Sequence, residues 1–149
     1  MTEVLFYHLT LKPLEEVLPG LLETCMQRQW RVVVQAGSAE RVSALDSLLW
    51  SYRDDSFLPH GAATDAQDAK QPIYLTAGPD NPNQASVRMM VERAAPPDLA
   101  GYTRGVFLFD GDDGEAVAEA RGHWKTLKAA GHDLTYWQQT EDGRWQKKA

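Results

Sequence analysis

Arg121, Trp124, Lys125 and Lys128 follow one another at steps of three, one and three residues. At about 100 degrees per helical residue, that spacing puts all four on one side of a helix. Three cations around one indole are equipped to hold a carboxylate: Arg121 can form a bidentate pair, the lysines act as point charges, and the ring offers an apolar face. This chemistry suits an acidic peptide that ends in an apolar residue and a free carboxylate. A solvated basic face with a partly buried tryptophan fits the same four positions.

A second cluster lies in LDSLLWSYRDDSFLPH, residues 45–60. Trp50, Tyr52, Phe57, Leu58 and Pro59 crowd around Arg53, Asp54 and Asp55, as apolar anchors do among solubilising charges at a partner-binding edge. A loop folding back onto its own core would read the same way. Within the cluster, Leu45, Leu48 and Leu49 are expected in the core. Trp50, Phe57 and Pro59 are expected in a patch that a lone monomer leaves at least partly exposed.

Other reactive groups point elsewhere. Cys25 falls on the apolar stripe of an early helix, where a buried thiol is ordinary and a nucleophile would need an electropositive neighbour. His60 beside Asp54 and Asp55 could form an acid–base pair, but no nucleophile accompanies it, and a loop-capping histidine fits as well. One cysteine with His8, His60, His123 and His132 matches no zinc spacing and allows no internal disulfide. There is no GK[ST] motif, and the first strand runs into Thr10-Leu11-Lys12-Pro13 rather than a glycine-rich turn. Asp110-Gly111-Asp112-Asp113-Gly114 has glycines between a strand and a helix, yet three carboxylates there would repel a phosphate. No cofactor is expected.

The elements that must position these residues follow from periodicity. Residues 4–9 (VLFYHL) and 31–36 (RVVVQA) read as buried strands. Between them, Leu14, Val17, Leu18, Leu21, Leu22, Cys25 and Met26 mark an amphipathic helix with Pro13 in its first turn and a weak point at Pro19-Gly20. Ser38 can cap a second helix that runs through Val42, Leu45 and Leu49 to Trp50. Residues 61–71 (GAATDAQDAKQ) read as loop, 72–76 as a short strand, 78–83 as a turn-rich break and 106–109 (VFLF) as a buried strand; 86–93 (SVRMMVER) fit either strand or helix, with strand favoured beside such short neighbours. Asp110, Asp112 and Asp113 then open the helix that carries Arg121, with Ala116, Ala120, Leu127 and Ala130 on its core side and Gly131 as its stop. Residues 134–140 and 144–148 flank Glu141-Asp142-Gly143 as a C-terminal β-hairpin. Strand and helix alternate, so the class is α/β with parallel crossovers.

The chain has 149 residues, 43% of them apolar, which suits one domain over residues 1–149. Met1-Thr2-Glu3 does not resemble a secretory leader, and no apolar run reaches the roughly 18 residues of a membrane span. A soluble, cytoplasmic protein is expected. A formal charge of −6 and a pI near 5.1 argue against direct nucleic-acid binding, which needs a basic footprint.

Three blocks, FYHL at 6–9, LDSLLWSYRDDSFLPHG at 45–61 and HWKTLKAAGHDLTYWQQTEDGRW at 123–145, resemble the chi subunit family of bacterial DNA polymerase III. The resemblance implies a Rossmann-like three-layer α/β/α domain with a mostly parallel sheet, no nucleotide site and no catalysis. It implies an adaptor that links the clamp loader, through a psi subunit, to the acidic C-terminal tail of single-stranded-DNA-binding protein. By position, Trp50, Phe57, Leu58 and Pro59 correspond to the psi contact. Another clamp-loader component or a helicase is an alternative occupant of that edge. Arg121, Trp124 and Lys125, with Lys128 added, correspond to the tail-binding surface. Residues 61–71 hold no glutamate at the family's acidic loop position, leaving Asp65 or Asp68 as stand-ins. Trp124 stands where tyrosine also occurs and Val117 where a basic residue also occurs, which lowers the tail affinity the resemblance implies. The competing expectation is a Rossmann-type small-molecule or nucleotide-binding enzyme, with a deep apolar cleft at the carboxyl ends of the strands.

Overall fold

The computed structural model describes residues 2–51, 60–62, 71–142 and 144–149. Along the chain these form β1 (Glu3–Leu9), α1 (Leu14–Gln27), β2 (Val32–Gln35), α2 (Ala39–Ser51), β3 (His60–Ala62), β4 (Ile73–Thr76), β5 (Val87–Met90), β6 (Arg104–Asp110), α3 (Gly114–Ala129), β7 (Asp133–Gln139) and β8 (Trp145–Lys147). One sheet joins all the described strands in the order β3-β4-β2-β5-β6-β1-β7-β8. Every neighbouring pair is parallel except β7 with β8, the C-terminal hairpin.

Alternation along β1 shows why three layers form. Leu5 and Leu9 join the core beneath α1 and α2, whereas Val4 and Phe6 join the core beneath α3. In β2 the consecutive Val32, Val33 and Val34 are all fully buried, as a strand covered on both faces requires. The expected α/β class, three-layer order, mostly parallel sheet and C-terminal hairpin are all present.

Pro13 lies one residue outside the first turn of α1, as its extended N-cap (φ −71°, ψ 168°), and its carbonyl accepts from Glu16 and Val17. The helix continues through Pro19, which is buried with Leu18, Leu22 and Cys25 on the core face. Ser38 Oγ accepts from the Arg41 amide at 3.3 Å, as a cap should. Leu45 and Leu49 are buried; Leu48, expected in the core, is half-buried at its rim.

Two features departed from expectation. Gly61 and Ala62 extend as part of β3, paired with Tyr74 and Leu75. Small residues carry no apolar alternation, so an edge strand built from them reads as loop. The second feature is the layer on the α3 side, which is helical only over β6, β1 and β7. Over β2 and β5, loops cover the sheet around the fully buried Arg88, whose guanidinium donates to Gln35 Oε1 (2.7 and 3.1 Å), the Gly78 and Asp80 carbonyls (2.6 and 3.0 Å) and Tyr102 Oη (3.0 Å). A buried charge persists only when its donors are satisfied in this way.

Candidate functional site

α3 is fixed at both ends by its own sequence. Asp113 Oδ1 accepts from the amides of Glu115 (3.0 Å) and Ala116 (3.3 Å), and the chain leaves the helix through Gly131 at φ +91°, where a side chain would be strained. Ala116 and Ala120 are buried against Phe107 and Phe109, so the small residues let the helix lie close to the sheet. Leu127 is half-buried, but Ala130, expected on the core side, is the exposed C-cap, where the helix has already lifted from the sheet.

Charge divides along α3. Its N-terminal half is acidic and paired: Arg93, reaching from the segment after β5, contacts Glu115 at 3.1 Å and Glu119 at 2.5 Å. The C-terminal half carries Arg121, Lys125 and Lys128, all exposed, and none of them meets a carboxylate at ion-pair distance among the described residues. Trp124 stands between these cations and the core, half-buried. Its indole meets Phe6 edge-on (5.4 Å, 62°) and Tyr136 edge-on (6.0 Å, 71°), and Phe6 in turn stacks on Phe107 at 4.7 Å.

Two residues that the sequence did not single out for this site join it from neighbouring strands. The Tyr136 hydroxyl of β7 lies 2.6 Å from His8 Nδ1 of β1. Burial pushes the Tyr136 phenol above its usual range, with Arg121's charge opposing. Burial, and then Arg121, hold the His8 imidazole below the usual histidine range, against smaller contributions from Asp112 and Asp110. The Arg121 field therefore reaches both partners. The signal that would reveal them is the β1–β7 register, which sets Phe6 opposite Tyr136 and cannot be read from either segment alone.

The second predicted surface is placed only in part. Trp50 belongs to the last turn of α2; its side chain, and Phe57, Leu58 and Pro59 with Asp65 and Asp68, lie outside the described residues. Cys25 is buried, and burial pushes its thiol up despite Arg104 and Arg28 nearby, which is the environment of an inert core cysteine.

A crevice of about 390 Å³ opens at the carboxyl ends of β1 and β6, lined among others by Lys12, Glu15, Glu92, Asp110, Asp112 and Asp113. This is where an α/β sheet would hold a nucleotide. The lining is acidic, and the loop amides that could cradle a phosphate are already occupied: the N–H groups of Thr10, Leu11 and Lys12 all donate to Gln139 Oε1, at 3.0, 3.1 and 3.1 Å. Gly111 serves the protein as well, because a Cβ there would fall on His8 Nε2 and come within 2.8 Å of the Leu9 carbonyl.

The family model described as "DNA polymerase III chi subunit, HolC" matches residues 1–135. A "Probable DNA polymerase III subunit chi" of Rickettsia prowazekii (strain Madrid E) is 33% identical over 100 residues, 67% of this chain and 59% of the relative. A "DNA polymerase III subunit chi" of Pseudomonas aeruginosa PAO1 is 31% identical over 89 residues, 60% of this chain and 61% of the relative. The chain thus spans about three fifths of the length of the curated relatives it matches. With the family model covering most of its length, the chain belongs to the DNA polymerase III chi subunit family.

Proposed function

We propose that this protein is a non-catalytic cytoplasmic adaptor of the replication machinery. One surface binds the acidic C-terminal tail of single-stranded-DNA-binding protein. The other, formed by Trp50, Phe57, Leu58 and Pro59, docks on the clamp loader through a psi subunit or an equivalent partner. The observation that carries the reading is the basic half of α3, which meets no carboxylate at ion-pair distance among the described residues, beside the half-buried Trp124. Three exposed cations held next to an aromatic, on a chain of net charge −6, suit an acidic, apolar-ended tail better than they suit a nucleic-acid backbone.

A charge-assisted hydrogen bond contributes roughly 1.5–3 kcal/mol, so Arg121→Ala weakens binding of a fluorescent tail peptide by about tenfold or more. Arg93→Ala, which removes a cation already paired with Glu115 and Glu119, leaves the affinity within about twofold. Equal affinities for wild type and Arg121→Ala would remove Arg121 from the site. A second reading, a small-molecule enzyme, rests on the crevice at the ends of β1 and β6. It requires a thermal shift with a crevice ligand that is abolished by a bulky substitution at Ala116.

A further inference from the structure

We propose that a recess on the opposite face of the sheet from Arg121 and Trp124 binds a small apolar carboxylate. The recess lies between the C-terminal half of α1 and the strands β1, β5 and β6, and has a volume of about 170 Å³. Leu5, Leu21, Val87 and Met89 are among the apolar residues that line it. Trp30 and Tyr7 add two aromatic rings to the lining.

The polar groups that reach it with a full charge are both cations. The Arg28 guanidinium lies 5.0 Å from the Trp30 ring centre and that of Arg104 lies 4.7 Å from it. One indole thus holds two guanidiniums in place. Arg104 has a single long contact to a carboxylate, Glu3 at 3.4 Å; Arg28, exposed at the C-cap of α1, has none among the described residues. Among the described residues, the Tyr7 hydroxyl makes no hydrogen bond and no Asp or Glu lines the recess. Both charged groups that converge here are donors and the Tyr7 hydroxyl can donate as well, while Thr24 has its hydroxyl proton on the Gly20 carbonyl and most of the remaining lining is apolar.

That combination selects an anion with an apolar body. A planar carboxylate can accept from two guanidiniums at once, and the rest of the ligand removes apolar surface from water. Size narrows the class further. An apolar cavity of about 150 Å³ is enough for benzene, so this recess takes one ring or one branched chain and is too small for a nucleotide or a drug-sized molecule. Such a group is either a free aryl or alkyl acid, or the last residue of a polypeptide with its terminal carboxylate.

The test is titration of the ¹⁵N-labelled protein with 3-phenylpropanoate, read at the Trp30 indole N–H. The acid shifts that resonance saturably, while 3-phenylpropanamide and inorganic phosphate leave it in place. Arg28→Ala weakens the acid by about tenfold, whereas Arg121→Ala on the other face leaves it unchanged, which separates this site from the proposed tail-binding surface. Arg104→Gln serves as a second variant with the same expected loss. N-acetylphenylalanine binding more tightly than 3-phenylpropanoate identifies a polypeptide C-terminus as the source, and the reverse order identifies a free acid. The proposal is overturned if acid and amide bind alike, if Arg28→Ala binds the acid as wild type does, or if Trp30 does not respond up to the solubility of the acid.

Discussion

Gln139 shows how one side chain can occupy a loop's converging amides. Its amide oxygen accepts from three successive backbone N–H groups of the loop after β1, and Thr10 Oγ1 donates to its carbonyl at 2.9 Å. In a phosphate-binding α/β domain, such converging amides hold the ligand. Here the far end of the chain fills the position from within. Gln139→Ala costs about 1–2 kcal/mol, because three amides lose their acceptor and water replaces it only in part; a denaturant midpoint unchanged from wild type would count against this role. None of it was legible in the sequence, since Gln139 and Thr10 are 129 positions apart and meet only through β1–β7 pairing. The four α3 residues were legible, because helical periodicity is local and needs no knowledge of neighbours. His8 and Tyr136 belong with Gln139: each reads as an ordinary strand residue until the register brings them together.

At the scale of elements, α3 is the part on which the proposed tail surface depends, and two half-buried histidines lie among the rings it packs on. His8, on β1, meets Phe109 and Tyr136 (ring centres 5.2 and 5.9 Å apart), and His123, on the helix itself, stacks on Phe107 at 5.3 Å. Both imidazoles are held below the usual histidine range, chiefly by burial. Arg121 reinforces the shift at His8, and Glu119 opposes it at His123. A histidine whose folded pKa is depressed takes up its proton more readily in the unfolded chain. Its contribution is therefore complete above the unfolded value of about 6.5 and is lost as pH falls through the folded value. The melting temperature should drop as pH falls below about 6.5, and the drop should be shallower in a His8→Asn, His123→Gln double variant. Parallel profiles for the two proteins would show that other groups govern the acid limb. The helix itself was legible from Asp113 and Gly131, whose capping chemistry is written in the sequence. β3 was not, because pairing with β4 rather than apolar content makes Gly61 and Ala62 extended.

For the whole molecule, alternating strand and helix signals were enough for the α/β class. The order β3-β4-β2-β5-β6-β1-β7-β8 depends on long-range pairing that no local pattern encodes, and so does the loop layer organised by Arg88. Net charge is a property of the whole molecule that sequence does give, and it constrains the proposed function most directly. With 21 acidic and 15 basic side chains, the long-range field is repulsive toward phosphate backbones. The exposed cations of α3 act only within about a Debye length of roughly 8 Å at physiological salt. The protein should therefore leave a bare single-stranded oligonucleotide unshifted in a gel, yet join the same oligonucleotide once single-stranded-DNA-binding protein coats it. That joining should fail when the coating protein lacks its acidic tail, and it should weaken as salt rises, because the contact is made by exposed charges. A shift of bare DNA that persists in Arg121→Ala would point instead to direct contact with the strand through a surface other than α3.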